Sequence, residues 1–211
     1  MKHSRMYIGI AVLLAVFLSG CAHQGPILLD FQYQPPQGVS AGAAKLTLGV
    51  SPFRDDRGKV ASVIGKRSLE SSDETNDLVV QGTTAEKVTA ALKSALKARG
   101  IAEKDLAAWD LTEAGVPSDG ADLLISGEIK KFWAEAKSRF ANTTVKAEVQ
   151  LRISVADLAQ KKIIRVMNVH STMERQDITF STDVVERTLS DALTSAIEQI
   201  FADEELQKRL K

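Results

Sequence analysis

A single cysteine, Cys21, stands in the whole chain of 211 residues, so no disulfide can form within it and packing alone must stabilise the fold. An excess of one charge is missing too, since 27 Lys and Arg balance 27 Asp and Glu. Nucleic-acid binding needs a concentrated Lys/Arg face, and nothing in this balance supplies one. Aromatic side chains are few, at seven Phe, two Trp and two Tyr; a cavity for an apolar ligand is often lined by such residues, although aliphatics serve as well. Of three histidines, only His170 falls in the part of the chain expected to fold. Zinc needs several His or Cys ligands, so neither a metal nor a cofactor is expected. G-x-S-x-G, H-E-x-x-H, a P-loop and G-x-G-x-x-G are all absent from the sequence.

One long apolar run does occur, Tyr7 to Leu18, twelve residues in length, where a helix needs about twenty to span a bilayer core. Lys2 and Arg5 precede it, and Leu18-Ser19-Gly20-Cys21 closes it. Positive, then apolar, then small is the order of a cleaved export leader. The closing tetrapeptide resembles the lipobox of bacterial lipoproteins. That resemblance implies a signal peptide over residues 1–20, transfer of diacylglycerol to the Cys21 thiol, cleavage before Cys21 and acylation of the new amino terminus. At about 0.8 kcal/mol per buried methylene, one chain binds a membrane marginally, whereas two or three hold it permanently. Ala22 follows, not the Asp that commonly retains enteric lipoproteins in the inner membrane. By that analogy the chain sits on the periplasmic side of the outer membrane, with the inner membrane facing the periplasm as the alternative.

With the leader removed, 191 residues remain, enough for one domain with its own core. Lys2 and Arg5 leave with the leader, so the remainder carries a formal charge of −2. Residues 21–44 read as a lipid-anchored tether, rich in Gly and Pro. Inside it Ile27, Leu29, Phe31 and Tyr33 alternate with Leu28, Asp30, Gln32 and Gln34. This is the period of an edge strand or docked arm, ended by Pro35-Pro36. Residues 45–211 then form a single periplasmic domain.

Within it, alternation predicts strands over 45–52, 60–68 with a break at Gly65, 122–133, 144–155 and 162–175. Phe53 to Gly58 reads as a charged turn in which arginines pair with Asp55 and Asp56, and 70–77 as an exposed acidic loop. Thr83 and Glu86 have the spacing of a capping box, starting a helix whose apolar stripe runs from Ala85 to Leu96 and which Gly100 ends. Trp109 is the expected core contact of the mixed segment 101–119. A last helix runs from Asp183 to Ile200 or beyond, burying Val185, Leu189, Leu193, Ala196, Ile197 and Ile200. The fold expected is α+β, an antiparallel sheet of about four to five strands with two helices packed on one face.

The lipobox, the strand leading to Asp55-Asp56-Arg57 and Ile64-Gly65, the helix closing on Ala98-Arg99-Gly100, the Ala121 to Ile129 segment and the C-terminal helix together resemble the YajG-type lipoproteins, small envelope proteins without an assigned activity. Similar arrangements occur in auxiliary lipoproteins of envelope ABC transport systems and in lipoproteins that help assemble the outer membrane. The resemblance implies an outer-membrane lipoprotein that acts by contact with an envelope protein partner, and it transfers no catalytic residue.

The remaining motifs point to no chemistry. Ser94 and Lys97 match S-x-x-K, but late in an amphipathic helix and without S-D-N or K-T-G. Asp73, Thr75 and Asp77 imitate the opening of a calcium loop, yet Leu78 and Thr84 stand where Gly and Glu are needed. Asn142-Thr143-Thr144 matches a glycosylation sequon, which means little behind a bacterial leader. The function expected is therefore a non-enzymatic, lipid-anchored binding or accessory module. The alternative is an apolar-ligand or lipid carrier auxiliary to an ABC transport system. A wall-active hydrolase using Glu128, Glu148 and Glu174 is the least favoured reading, because polar positions on an alternating strand are usually its wet side.

Overall fold

The computed structural model describes residues 25–39, 46–58, 60–72, 74–118 and 120–210. The leader, residues 21–24 (Cys21 and Ala22 among them) and 40–44 of the tether, Lys45 and Asp73 lie outside them. The described strands are β1 (Ile27–Leu29), β2 (Thr47–Val50), β3 (Arg54–Asp55), β4 (Val63–Leu69), β5 (Thr75–Val80), β6 (Ala102–Asp105), β7 (Leu123–Arg139), β8 (Asn142–Asp157) and β9 (Lys162–Asp177). The helices are α1 (Thr84–Ala98), α2 (Thr182–Ala202) and α3 (Glu204–Leu210).

The sheet is built around β7. One of its edges is taken along nearly its whole length by antiparallel β8, which pairs in turn with antiparallel β9. The other edge is shared end to end by three shorter parallel strands, β2 at Leu123 to Ile125, β3 at Glu128 and Ile129, and β4 at Ala134 to Ser138. From β2 the sheet continues to parallel β6, and from β4 through antiparallel β5 to parallel β1. Nine strands of mixed direction among the described residues correct the expected antiparallel sheet of four to five strands, and a third helix joins the two expected.

The reason lies in what alternation encodes. Period two reports which side chains are buried and carries no record of a partner's direction. It also fades where the buried residue is small. After Trp133 the inward positions are Ala134 and Ala136, both fully buried, with Glu135 and Lys137 outside. Alanine gives so weak an apolar signal that 134–143 reads as a short connection, either a hairpin or an extension of the strands, and β7 runs on to Arg139. Thr75 to Asp77, expected in the acidic loop, belong to β5 for the same reason: the first buried apolar residue of that strand is Leu78.

Local chemistry sets the helix ends. Thr83 caps α1, its hydroxyl accepting from the Glu86 amide at 3.2 Å while the Glu86 carboxylate accepts from the Thr83 amide at 2.8 Å, the reciprocal capping box. Gly100 follows with φ +67. Ser181 caps α2, and Asp203 ends it in an extended conformation before α3 begins. Gly65 sits at the register shift between β4 and β5, where a Cβ would meet the Ala134 carbonyl oxygen at 2.2 Å. Only glycine lets the two backbones approach so closely.

The helices share one core with the sheet. Leu189, Leu193, Ala196, Ile197 and Ile200 of α2 meet Ile125, Phe132, Val149 and Leu151, all at or near zero exposure. Residues 30–34 run beside both long helices. The backbone amides of Asp30, Gln32 and Gln34 donate to Glu186, Ser190 and Thr194 of α2 at 2.8, 3.3 and 3.0 Å, and the Tyr33 hydroxyl donates to Glu198 at 2.8 Å. Two residues of extended chain advance about 6.7 Å and four of helix about 6 Å, so alternate amides keep step with every fourth helical residue. Lys87 of α1 reaches Asp30 at 2.6 Å, and Arg99 bonds both the Tyr33 hydroxyl and Glu198. Leu29, Phe31 and Tyr33 are buried, with the Phe31 ring 4.7 Å from that of Phe132.

The opposite face of the sheet is covered at one end only. There Trp109, Val116, Leu124, Ala156 and Leu158 form a second, smaller core. The Trp109 amide donates to the Ser51 hydroxyl at 2.8 Å and its indole donates to the Thr112 carbonyl at 2.8 Å. Beyond it, from Glu128 and Arg152 to the β7–β8 turn, the helix-free face carries polar side chains.

Candidate functional site

This helix-free face collects the outward residues of β4, β5, β7, β8 and β9. Register places Asp77, Lys66, Glu135, Lys146 and Glu174 in one row across five strands. All five are exposed, and their charges alternate in sign. Cross-strand neighbours of opposite sign favour the sheet modestly, and the row presents a surface without net polarity of one kind.

Two denser networks border it. The Glu128 carboxylate, on a residue only 6% exposed, receives Arg54 from β3, Lys130 at 3.0 Å and Arg152 at 3.8 Å, while Lys130 also holds Asp56 at 2.6 Å. Burial is the largest single influence on Glu128 and works to raise its pKa; the hydrogen bonds and charges of Lys130 and Arg54 together outweigh it, leaving the carboxyl below its ordinary value. Next along β8, Glu148 accepts from Lys131 at 2.6 Å and Gln150 at 2.8 Å, with His170 Nε2 at 3.3 Å. The Lys131 hydrogen bond is the chief cause of its lowered pKa. A carboxylate held ionised by cations is poorly suited to donate a proton as a general acid.

The charged turn divides its labour. Arg57, its side chain 3% exposed, makes a two-point contact with Asp55 at 2.6 and 2.7 Å and donates to the carbonyls of Val63, Phe132 and Ala61 and to the Thr84 hydroxyl, at 2.8 to 3.1 Å. It thus joins the turn to β4, β7 and the first turn of α1. Asp56 points the other way, to Lys130. Between these groups Arg57, Lys130, Lys131, Phe132, Trp133 and Glu135 line an open depression of about 270 Å³ beside the irregularity in β7 between Ile129 and Lys131.

The other sequence candidates fall as follows. Glu128, Glu148 and Glu174 share the helix-free face, but register spreads them along it. Their β8 partners or positions are Arg152, Glu148 and Lys146, so successive carboxylates lie roughly 13 and 7 Å apart along the strand direction and line no cleft as a facing pair. Ser94 and Lys97 are exposed on the outer side of α1. Thr75 and Asp77 stand on β5, not in a loop. His170 is on β9, where both its backbone groups bond the Gln199 side chain of α2, at 3.3 and 2.8 Å, covering that point of an otherwise free strand edge. Among the described residues no three His, Cys, Asp or Glu side chains are grouped to hold a metal ion, and no helix is long and apolar enough to cross a membrane. The expected pairing of Arg57 with Asp55 is present, whereas Asp56 pairs with Lys130 and not with an arginine; the Arg54 to Glu128 contact and the reach of Arg57 to β4, β7 and α1 are what sequence reasoning missed, because those partners are distant in the chain.

The fold is similar to that of a known structure. Protein XCC0632 of Xanthomonas campestris, of the DUF330 family, matches over 82% of this chain and 90% of its own, with a TM-score of 0.55 and 11% identity; a likeness this distant in sequence shows the fold alone. Lipoprotein GNA1162 of Neisseria meningitidis aligns over 74% of this chain and 99% of its own at 9% identity, with a TM-score of 0.41. No curated protein matches the sequence. Residues 67–211 match the family Lipoprotein_16, described as uncharacterized lipoprotein. The chain belongs to that family, which makes it a membrane-anchored lipoprotein of the cell envelope.

Proposed function

We propose that this lipoprotein is a non-enzymatic binding or accessory module of the bacterial envelope, of the YajG type, held by acyl chains on Cys21 at the periplasmic side of the outer membrane after removal of residues 1–20. The observation that carries the binding reading is the helix-free face. Its row from Asp77 to Glu174 alternates in sign, which suits a protein surface of complementary alternating charge and disfavours polyanions such as nucleic acid or a teichoic-type polymer. The filled layer between α2 and the sheet weighs against a lipid or apolar-ligand carrier, and the lowered pKa values of Glu128 and Glu148 weigh against acid catalysis.

Photocrosslinking in intact cells tests the reading. A photoreactive amino acid placed at Lys66, Lys146 or Glu174 should capture the same envelope protein from each position, while one at Ser94 on the outer side of α1 should not. If all positions give only scattered adducts, contact through this face is wrong. If native mass spectrometry of the delipidated protein shows a retained apolar molecule, the carrier reading replaces it.

A further inference from the structure

The β7–β8 hairpin turns in two residues, Phe140 and Ala141. Such turns favour Asn-Gly or Asp-Gly; here Ala141 takes a positive φ of 56 and Phe140 is fully exposed at 102%. Beside it, one residue past the end of β9, Ile178 is 73% exposed. Asp177 pairs with Thr143, so Ile178 is level with the start of β8. Two of the most exposed large apolar side chains thus share one end of the sheet. The cations next to Phe140 in the chain are paired, Arg139 with Glu70 at 3.0 Å and Lys137 with Glu135 at 3.3 Å, and Asp177 accepts from the Ile178 amide at 2.7 Å.

The chain enters the sheet from this same end. β1 runs parallel to β5, with Ile27 opposite Leu78, and the Gly25 carbonyl accepts from the Asn76 side chain at 3.3 Å. Asn76 lies opposite Arg67, and Arg67 opposite Ala136. Gly25 is therefore level with Ala136, four residues or about 13 Å short of Phe140 along the strand axis. Four residues also separate Gly25 from Cys21, a reach of at most about 14 Å. An acylated Cys21 in a bilayer can draw level with the hairpin tip and scarcely pass it.

We propose that the tip carrying Phe140 and Ile178 dips into the interface of the bilayer that holds the anchor, so that the domain stands on its membrane at two points, the lipid and the hairpin. The inference rests on acylation of Cys21. Bilayer is the occupant favoured because the short reach from the anchor leaves no room for a protein between tip and membrane, and because the cations beside Phe140 are already paired, which suits a zwitterionic surface.

The test uses the acylated mature lipoprotein reconstituted in phosphatidylethanolamine/phosphatidylglycerol vesicles. Its own thiol is blocked by lipid, so F140C, I178C and, as a control at the far end of the sheet, Q160C each offer one free thiol for an environment-sensitive fluorophore. At positions 140 and 178 emission should shift to the blue, with quenching by spin-labelled lipid and protection from aqueous iodide; position 160 should show none of these. A label at 140 as open to iodide as the one at 160 overturns the proposal. A second arm separates the two ideas. The mature chain with hexahistidine in place of Cys21 is held on nickel-chelating lipid, which supplies the anchor whatever happens at the cysteine. There F140S/I178S should weaken vesicle binding on the order of tenfold relative to the parent, and Q160S should leave it unchanged. Equal binding by F140S/I178S and parent contradicts tip insertion. A bare Cys21 in the native protein removes the lipid contact and with it the two-point stance, while the nickel-lipid arm still reads tip insertion by itself.

Discussion

Replacing Arg57 tests the packing account most severely. The guanidinium spends every donor inside the protein, on both Asp55 oxygens, three carbonyls and the Thr84 hydroxyl. R57A leaves the Asp55 carboxylate, itself 14% exposed at the side chain, without its cation, and takes a donor from the carbonyls of Val63 and Phe132 on two strands, while the Ala61 carbonyl keeps the Thr84 amide and hydroxyl. Breaking a buried pair from one side costs about 3–5 kcal/mol. For a chain of this size that lowers the midpoint of thermal unfolding by roughly 6–20 °C. R57K keeps the charge but offers a point donor where a planar fork is needed, so it should still cost at least about 2 kcal/mol. Urea unfolding of the mature chain without lipid, followed by circular dichroism, gives both values. D55A/R57A should lose clearly less than the sum of the single changes, because each single change strands the other's charge. An R57A protein within about 1 kcal/mol of the parent would refute the clamp.

Other expectations follow from the same geometry. Y33F removes the hydroxyl shared by Arg99 and Glu198; it should cost about 1 kcal/mol and speed proteolysis between Gly25 and Val39 in a limited-digestion time course. G65A forces a Cβ against the Ala134 carbonyl and should destabilise by at least about 2 kcal/mol, whereas F140S and I178S, at exposed positions, should each stay within about 0.5 kcal/mol of the parent in the same urea assay. Because the pKa values of Glu128, Glu148 and Asp203 are lowered in the folded protein, their stabilising contribution is fully present above the unfolded carboxyl values of about 4 and is lost as pH falls through the lower folded values. Carbon-detected NMR titration should find the Glu128 midpoint below the ordinary value for a glutamate side chain.

Legibility in the sequence tracked the range of the interaction concerned. β8 was plain because six apolar residues from Val145 to Val155 alternate with polar ones, and α1 was plain because both of its capping residues lie within four positions of each other. Both signals are local. β7 was cut short at Trp133 because alanines carry its inward face beyond that point, and β6, exposed at every position, has no apolar pattern at all; it exists because β2 offers it an edge. Parallel pairing of β2, β3 and β4 along one side of β7 is a property of chain topology, which no window of residues contains. The same holds for the site. That Glu128 and Glu148 face away from the helices follows from alternation, but the ion pair to Arg54 joins residues 74 apart. The tip is the intermediate case. Phe140 stands between two strands in the sequence, but its exposure, and its place at the end where the tether arrives, needed the register of β1, β5, β4 and β7.

Anchoring through Cys21 underlies both the accessory role and the two-point stance on the membrane. Intact-mass analysis of the protein extracted from native membranes measures it directly. The account predicts a chain beginning at Cys21 and heavier than its sequence by a diacylglyceryl group and an amide-linked acyl chain. A mass matching the unmodified polypeptide, with or without residues 1–20, would contradict it.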